Sequence, residues 1–171
     1  MRRTSWTTAA VLTAAASLIL AGPASASPTG AHRVGGEQLQ GAGVSHPAGQ
    51  DDRSLQVSAQ TPDGGISSAS GHVSFTHHSP VGLNHFVASV SCLQSTTSGD
   101  GSAVVELSGV IGSGSTANGT SLAGRSYAFT IVEQANKAQQ FSLPRFGGTT
   151  PCGGGRALVP VTQAGYRITG T

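Results

Sequence analysis

Four histidines lie close together in the sequence and are the first candidates for chemistry: His72, His77, His78 and His85. They are carried by two segments, GHVSFTHH at 71–78 and HFVASVSC at 85–92, and both alternate between apolar and polar residues as β-strands do. The residues between them, 79–84, include a proline and a glycine and can form the turn of a hairpin. The sequence therefore predicts a β-hairpin that concentrates imidazoles.

Pairing His78 with His85 gives this hairpin a self-consistent register. His77 then faces the apolar side of the hairpin together with Cys92, and the strand period of two sends His72, His78 and His85 to the wetter side. Two neutral imidazoles opposed across strands can share a zinc or copper ion. This predicts a metal site of His72, His78 and His85, although the segment offers no carboxylate as a further ligand. The alternative is a solvated polar face, on which the histidines gain positive charge as the pH falls to about 6.

The only two cysteines are Cys92 and Cys152. In an exported protein they predict one disulfide, since an oxidising compartment offers each thiol a single partner. The bond closes a loop of about 60 residues, which in the chain-entropy model stabilises the fold by roughly 4 kcal/mol. A catalytic thiol is disfavoured for the same reason.

Other constellations of reactive residues do not indicate an enzyme. The serines of 112–115 (GSGS) lie between strands rather than in the strand–turn–helix context of a hydrolase nucleophile. Glu106 and Glu133 could approach across strands as a carboxylate pair, yet an exposed strand position explains each. We therefore expect a non-enzymatic protein with no resident cofactor.

Two further binding functions stay open. Sugar binding on a β-sandwich usually needs exposed aromatic rings, and beyond residue 26 the chain has no tryptophan and only Tyr127 and Tyr166, which have the pattern of core or end-of-strand residues. A secreted protease inhibitor would present a stiff loop beside a disulfide. The segment 146–152 (FGGTTPC) has that outline, but its glycines also suit a plain connecting loop.

The first 26 residues have the pattern of a cleavable export signal. Arg2 and Arg3 precede an uncharged apolar run at 9–21, and the small residues of Ala-Ser-Ala then predict cleavage after Ala26. The apolar run is too short for a membrane-spanning helix, which needs about 20 residues. The expected location is secreted or associated with the cell wall, without a transmembrane anchor.

Cleavage after residue 26 changes the charge balance. The two arginines leave with the signal, so 9 − 2 = 7 Lys and Arg residues remain against 7 Asp and Glu. A neutral chain offers no basic patch for nucleic acid, so we expect no nucleic-acid partner.

Composition and hydrophobic patterning divide the rest of the chain into two regions. Residues 27–53 are rich in Gly, Ala and Pro with few large apolar residues and predict a flexible tail. Residues 54–171 alternate in short runs separated by Gly-rich turns, most clearly SYAFTIVE at 126–133. They predict an all-β domain, an antiparallel β-sandwich or partly open barrel of six to eight short strands with one disulfide.

The domain resembles small actinobacterial exported domains of the post-COAP or repetin-like type. The resemblance rests on GHVSF at 71–75, Cys92-Leu93, AVVELSGVI at 103–111, LAGRSYAFTIVEQ at 122–134, QQFSL at 139–143, Cys152 and GYRIT at 165–169. It implies a small β-sandwich and brings no assigned activity or site residues with it. The expected function is a secreted, non-enzymatic binding or envelope-associated module, with a histidine-based metal-binding protein and a protease inhibitor as alternatives.

Overall fold

The computed structural model describes residues 36–47, 51–62, 68–147, 152–155 and 157–170, so the predicted signal peptide lies outside the described residues. Within that part of the chain there are ten β-strands. The strands are β1 (Gln38–Ser45), β2 (Asp52–Gln60), β3 (Ser70–Ser79), β4 (Gly82–Thr97), β5 (Ala103–Ser115), β6 (Ser126–Glu133), β7 (Gln140–Ser142), β8 (Arg145–Phe146), β9 (Leu158–Pro160) and β10 (Gln163–Thr169). None of these residues belongs to a helix long and apolar enough to cross a membrane.

All ten strands belong to one antiparallel sheet in the order β10-β1-β2-β3-β4-β5-β6-β7-β9, and β8 pairs with β6 beside β7. The sheet curls into a half-barrel. The curl brings Glu37, next to β1, against Ser95 of β4, three strands away, and the Ser95 N–H donates to the Glu37 carboxylate at 3.0 Å. The predicted all-β class with a partly open barrel is confirmed. Among the described residues the predicted domain holds nine strands, β2 to β10, rather than six to eight, and β4, with 16 residues, is longer than the short strands expected.

Strand β1 corrects the predicted domain boundary. The sequence predicted a flexible tail over 27–53, but β1 pairs with both β2 and β10, and Leu39 is buried in the core. The prediction of a tail is wrong for this segment. The prediction took the small residues of this segment as a sign of flexibility. Gly43 instead leaves space for the ring of Tyr166, since a Cβ on Gly43 would lie 2.5 Å from the tyrosine hydroxyl.

The predicted hairpin is present as β3 and β4, but its register is shifted by two residues. The turn is tight, with Ser79 opposite Gly82, so His78 lies opposite Leu83, and His85 lies opposite Thr76. The prediction that His78 and His85 face each other directly is therefore wrong. The side chains of β3, and those of β4 as far as Val90, nevertheless keep their predicted sides, because a shift of two residues preserves the alternation of a strand.

A β-bulge decides where the disulfide lies. In the pairing of β4 with β5, Val90 lies opposite Gly109 and Cys92 lies opposite Ser108, so one extra residue, Ser91, is inserted. The insertion turns Cys92 to the outer side of the sheet, whereas uninterrupted alternation predicted it on the inner side. Its bond to Cys152 holds the 152–155 segment over the outer side of β5 and β6, where the Gly155 N–H donates to Thr130 Oγ1 at 2.9 Å.

The inner side of the sheet is a packed apolar core with the two tyrosines in it. Tyr127 and Tyr166 are both buried, so of the two locations that the sequence left open, core or strand end, both occupy the core. Burial raises the pKa of each phenol above its usual range, so both stay protonated and donate hydrogen bonds. The Tyr127 hydroxyl donates to the Ser89 carbonyl at 3.0 Å, and the Tyr166 hydroxyl donates to the Leu55 carbonyl at 2.9 Å.

A glutamine side chain ties the two ends of the sheet together. The backbone carbonyl of Gln139 accepts from the Val161 N–H at 2.7 Å beside β9. Its side-chain amide accepts from the Tyr166 N–H at 2.7 Å and donates to the Tyr166 carbonyl at 2.9 Å, both on β10. The amide thus pairs with backbone groups on the free edge of β10, as a neighbouring strand would.

Replacing Gln139 with alanine is expected to lower the free energy of unfolding by about 2 kcal/mol, about 1 kcal/mol for each of the two hydrogen bonds lost. Urea unfolding followed by circular dichroism measures the change. Gln163→Ala, an exposed glutamine on β10, is the matched control and should change stability by less than about 0.5 kcal/mol. Equal effects of the two substitutions would show that the Gln139 amide does not tie the ends of the sheet.

Candidate functional site

At one end of the half-barrel the inner side of the sheet changes from apolar to polar. Along β2, β3 and β4 the last large apolar residues facing inward are Leu55, Phe75 and Phe86. The next inward positions toward that end, two residues along each strand, carry Arg53, His77 and Asn84. The register places His77 opposite both Arg53 and Asn84. A collar of polar side chains therefore lies directly above an aromatic floor.

A cavity of about 410 Å³ opens at this end. Its wall is mostly apolar and contains a few polar side chains, which is the composition typical of small-molecule sites. The residues that line it are Phe75, His77, Asn84, Phe86, Thr116, Leu122, Arg125, Leu143, Pro144 and Phe146.

Three phenylalanine rings form the floor and one wall of the cavity. The centroids of Phe75 and Phe86 are 5.5 Å apart with tilted planes. Phe146, on β8, meets Phe86 nearly edge-on, with centroids 6.0 Å apart and planes at 69°. Phe75 and Phe86 are 3% and 1% exposed, so they belong to the core beneath the cavity, and the half-buried Phe146 is the ring that a ligand can reach.

Arg125 brings a positive charge to the mouth of the cavity. Its guanidinium carbon lies 5.3 Å from the centroid of the Phe146 ring, which is a cation–π contact. A turn positions it: the Arg125 N–H donates to the Leu122 carbonyl at 3.1 Å, and Gly124 between them has a φ of 78°, which glycine adopts without strain. Among the described residues, no carboxylate lies within ion-pair distance of Arg125.

Asn84 presents hydrogen-bond donors to the cavity. Its amide oxygen accepts from the Ala117 N–H at 2.9 Å, in the loop after β5. This bond determines the orientation of the amide, because only the oxygen can accept from an N–H. The Asn84 NH₂ group is therefore the part left to meet a ligand.

Behind the wall, His77 is held by a carboxylate that also binds an arginine. His77 Nε2 bonds one oxygen of Asp51, and the Arg53 guanidinium donates to the other. The side chains are 23% (His77), 28% (Asp51) and 14% (Arg53) exposed. Asp51 is thus neutralised by Arg53 and orients the His77 ring, which lines the cavity.

The three histidines of the predicted metal site do not converge. His72, His78 and His85 share the outer side of the sheet, as the alternation predicted, but they lie opposite Ser89, Leu83 and Thr76 respectively. His72 is six positions from His78 along β3, about 20 Å at the rise of an extended strand. Among the described residues, no three His, Cys, Asp or Glu side chains are close enough to hold a metal ion. A zinc or copper site of these three histidines is therefore not formed.

The other candidate residues have separate locations. Cys92 and Cys152 form the predicted disulfide, with their Cα atoms 5.2 Å apart. Glu106 lies opposite Thr130 and Glu133 lies opposite Ala103, three positions apart along β6 and so on opposite sides of the sheet. The two carboxylates cannot act as a pair. Residues 148–151 of the predicted inhibitor loop lie outside the described part of the chain.

Sequence reasoning placed His77 on the inner side but did not identify the cavity. Arg125 and Phe146 belong to segments that the sequence marks only as a turn and a short run before glycines, and they meet through the pairing of β8 with β6. The one available signal was the polar residue at the end of the inward-facing row on β3 and on β4. A scan against family models, a search of curated proteins and a search of solved structures return no match to the chain, so the resemblance to exported actinobacterial domains stays a prediction.

Proposed function

We propose that this protein is an exported, non-enzymatic binding module that takes a small, largely apolar ligand into the cavity at the polar end of the half-barrel. The observation that carries the proposal is the cavity itself: about 410 Å³, lined by six apolar and four polar residues above the buried rings of Phe75 and Phe86. Pockets of 300–1,000 Å³ with that lining are the usual sites of small ligands.

The chemistry of the lining supports binding rather than catalysis. Arg125 is committed to the Phe146 ring, and Asn84 is committed through its oxygen to the loop after β5. The hydroxyl of Thr116 donates to the side chain of Asn118 rather than toward a general base. These groups are positioned to orient a ligand, and His77, which Asp51 orients, has no Ser, Cys or Lys among the lining residues to activate as a nucleophile.

Export or association with the cell envelope enters the proposal through the first 26 residues and the disulfide. A disulfide between Cys92 and Cys152 is the form that these residues take in an oxidising compartment. A ligand-binding module with such a staple would meet its ligand outside the cytoplasm.

The test uses the neutral fluorescent probe N-phenyl-1-naphthylamine, which brightens when it leaves water. The wild-type protein is expected to bind it saturably. Thr116→Trp, which puts an indole at the mouth of the cavity, should weaken binding by about tenfold or more, since it occupies space that the probe needs. Ser113→Trp adds the same indole at an exposed position of β5 and should bind like the wild type.

Thermal unfolding of both variants checks that they fold. Absence of saturable binding by the wild type, or equal binding by the two folded variants, would contradict the proposal.

A further inference from the structure

We propose that the ligand carries an anionic head group on a planar apolar body, with the head group held by Arg125 and Asn84 at the mouth and the body against the ring of Phe146 and the apolar wall beside it. This inference rests on the proposed function and adds to it the chemical class of the ligand.

The charge of the cavity is the first argument. Of the residues that line it, Arg125 alone carries a permanent charge, and no Asp or Glu is among them. Asp51 bonds the lining residue His77, and its other oxygen is paired with Arg53. An anion entering the cavity therefore meets a cation whose charge no described carboxylate compensates.

The geometry of the donors is the second argument. A guanidinium that packs over an aromatic ring keeps its N–H groups in its own plane, free for a carboxylate or phosphate. Arg125 lies over Phe146, and Asn84, whose NH₂ group is not used in its bond to Ala117, lines the same cavity. Two sets of donors with no anionic partner in the described residues suit the oxygens of a carboxylate or a phosphate.

The shape and chemistry of the floor specify the rest of the ligand. Phe75 and Phe86 meet at a tilt, and Phe146 closes one side nearly edge-on. Because Phe75 and Phe86 are buried beneath the cavity, a flat ring system would pack against the half-buried Phe146, Leu143 and Pro144. The cavity thus combines an apolar floor with a cationic mouth, which matches an amphipathic anion.

The experiment measures how well three ligands with one ring system displace N-phenyl-1-naphthylamine from the wild-type protein. They are 1-naphthylacetate, its neutral isostere 1-naphthaleneacetamide, and 1-naphthyl phosphate. At roughly physiological ionic strength, where distant surface charges are screened, at least one anion should displace the probe about tenfold more tightly than the amide. The preferred anion identifies the head group as carboxylate or phosphate.

Two variants, one test and one control, each remove one positive charge. In Arg125→Gln the anion and the amide should bind about equally tightly, while the neutral probe still binds. Arg145→Gln removes an exposed arginine on β8 outside the cavity lining and should keep the wild-type preference. An anion preference that survives Arg125→Gln, or wild-type binding of the amide as tight as that of both anions, would overturn this inference and leave the binding module standing. Failure of the wild type to bind any of these ligands would overturn both.

Discussion

Replacing Gly109 with alanine is expected to lower the free energy of unfolding by about 3 kcal/mol or more. Gly109 lies on β5 beside the bulge of β4, where the two backbones come unusually close. A Cβ at this position would lie 1.8 Å from the carbonyl oxygen of Ser89 and 3.1 Å from the ring of Tyr127. That oxygen also accepts the Tyr127 hydroxyl, so moving it away would break a buried hydrogen bond as well as the strand pairing.

Gly112→Ala is the matched control, because it adds the same methyl group three positions along β5. A Cβ on Gly112 would have only the Val87 carbonyl near it, at 3.7 Å, an ordinary van der Waals contact. Its stability should change by less than about 1 kcal/mol. Urea unfolding of the two variants measures the difference. Similar midpoints for both would mean that β4 and β5 do not approach as closely as described.

Removing the disulfide is expected to cost about 4 kcal/mol of stability. Cys92 and Cys152 are 60 positions apart, and their bond excludes many conformations of the unfolded chain. The Cys92→Ala/Cys152→Ala double variant keeps small apolar groups at two buried positions, so most of its loss should come from the freed unfolded chain. Urea unfolding of the oxidised wild type and of the double variant gives the change.

Two further measurements make the disulfide prediction specific. A reductant should destabilise the wild type by a similar amount and leave the double variant unchanged. Binding of the naphthylamine probe should survive in the folded double variant, because Cys92 lies on the outer side of the sheet opposite Ser108 and the cavity lies on the inner side. A stability loss below about 1 kcal/mol would show that the cross-link does not restrict the unfolded chain as the chain-entropy model requires.

The candidate site could be predicted from the sequence only in part. Alternation along β3 and β4 placed His77 on the inner side, which the structure confirms. Arg125 reaches the same cavity from a turn, and Phe146 reaches it from a two-residue strand, and neither has a periodic pattern around it. Their meeting depends on which strands become neighbours, and a local pattern carries no information about that.

The sequence by itself determined the all-β class, the disulfide partners and the side of the sheet that most hairpin residues face. Tertiary structure decided the register of His78 and His85, the outward turn of Cys92, the recruitment of β1 and the closure of the sheet by Gln139. The physical reason is that strand alternation has a period of two. A shift of two residues keeps every side chain on its side but changes every partner, and a single inserted residue reverses the sides that follow. Which partners are chosen, and where an insertion falls, depends on packing between segments far apart in the chain.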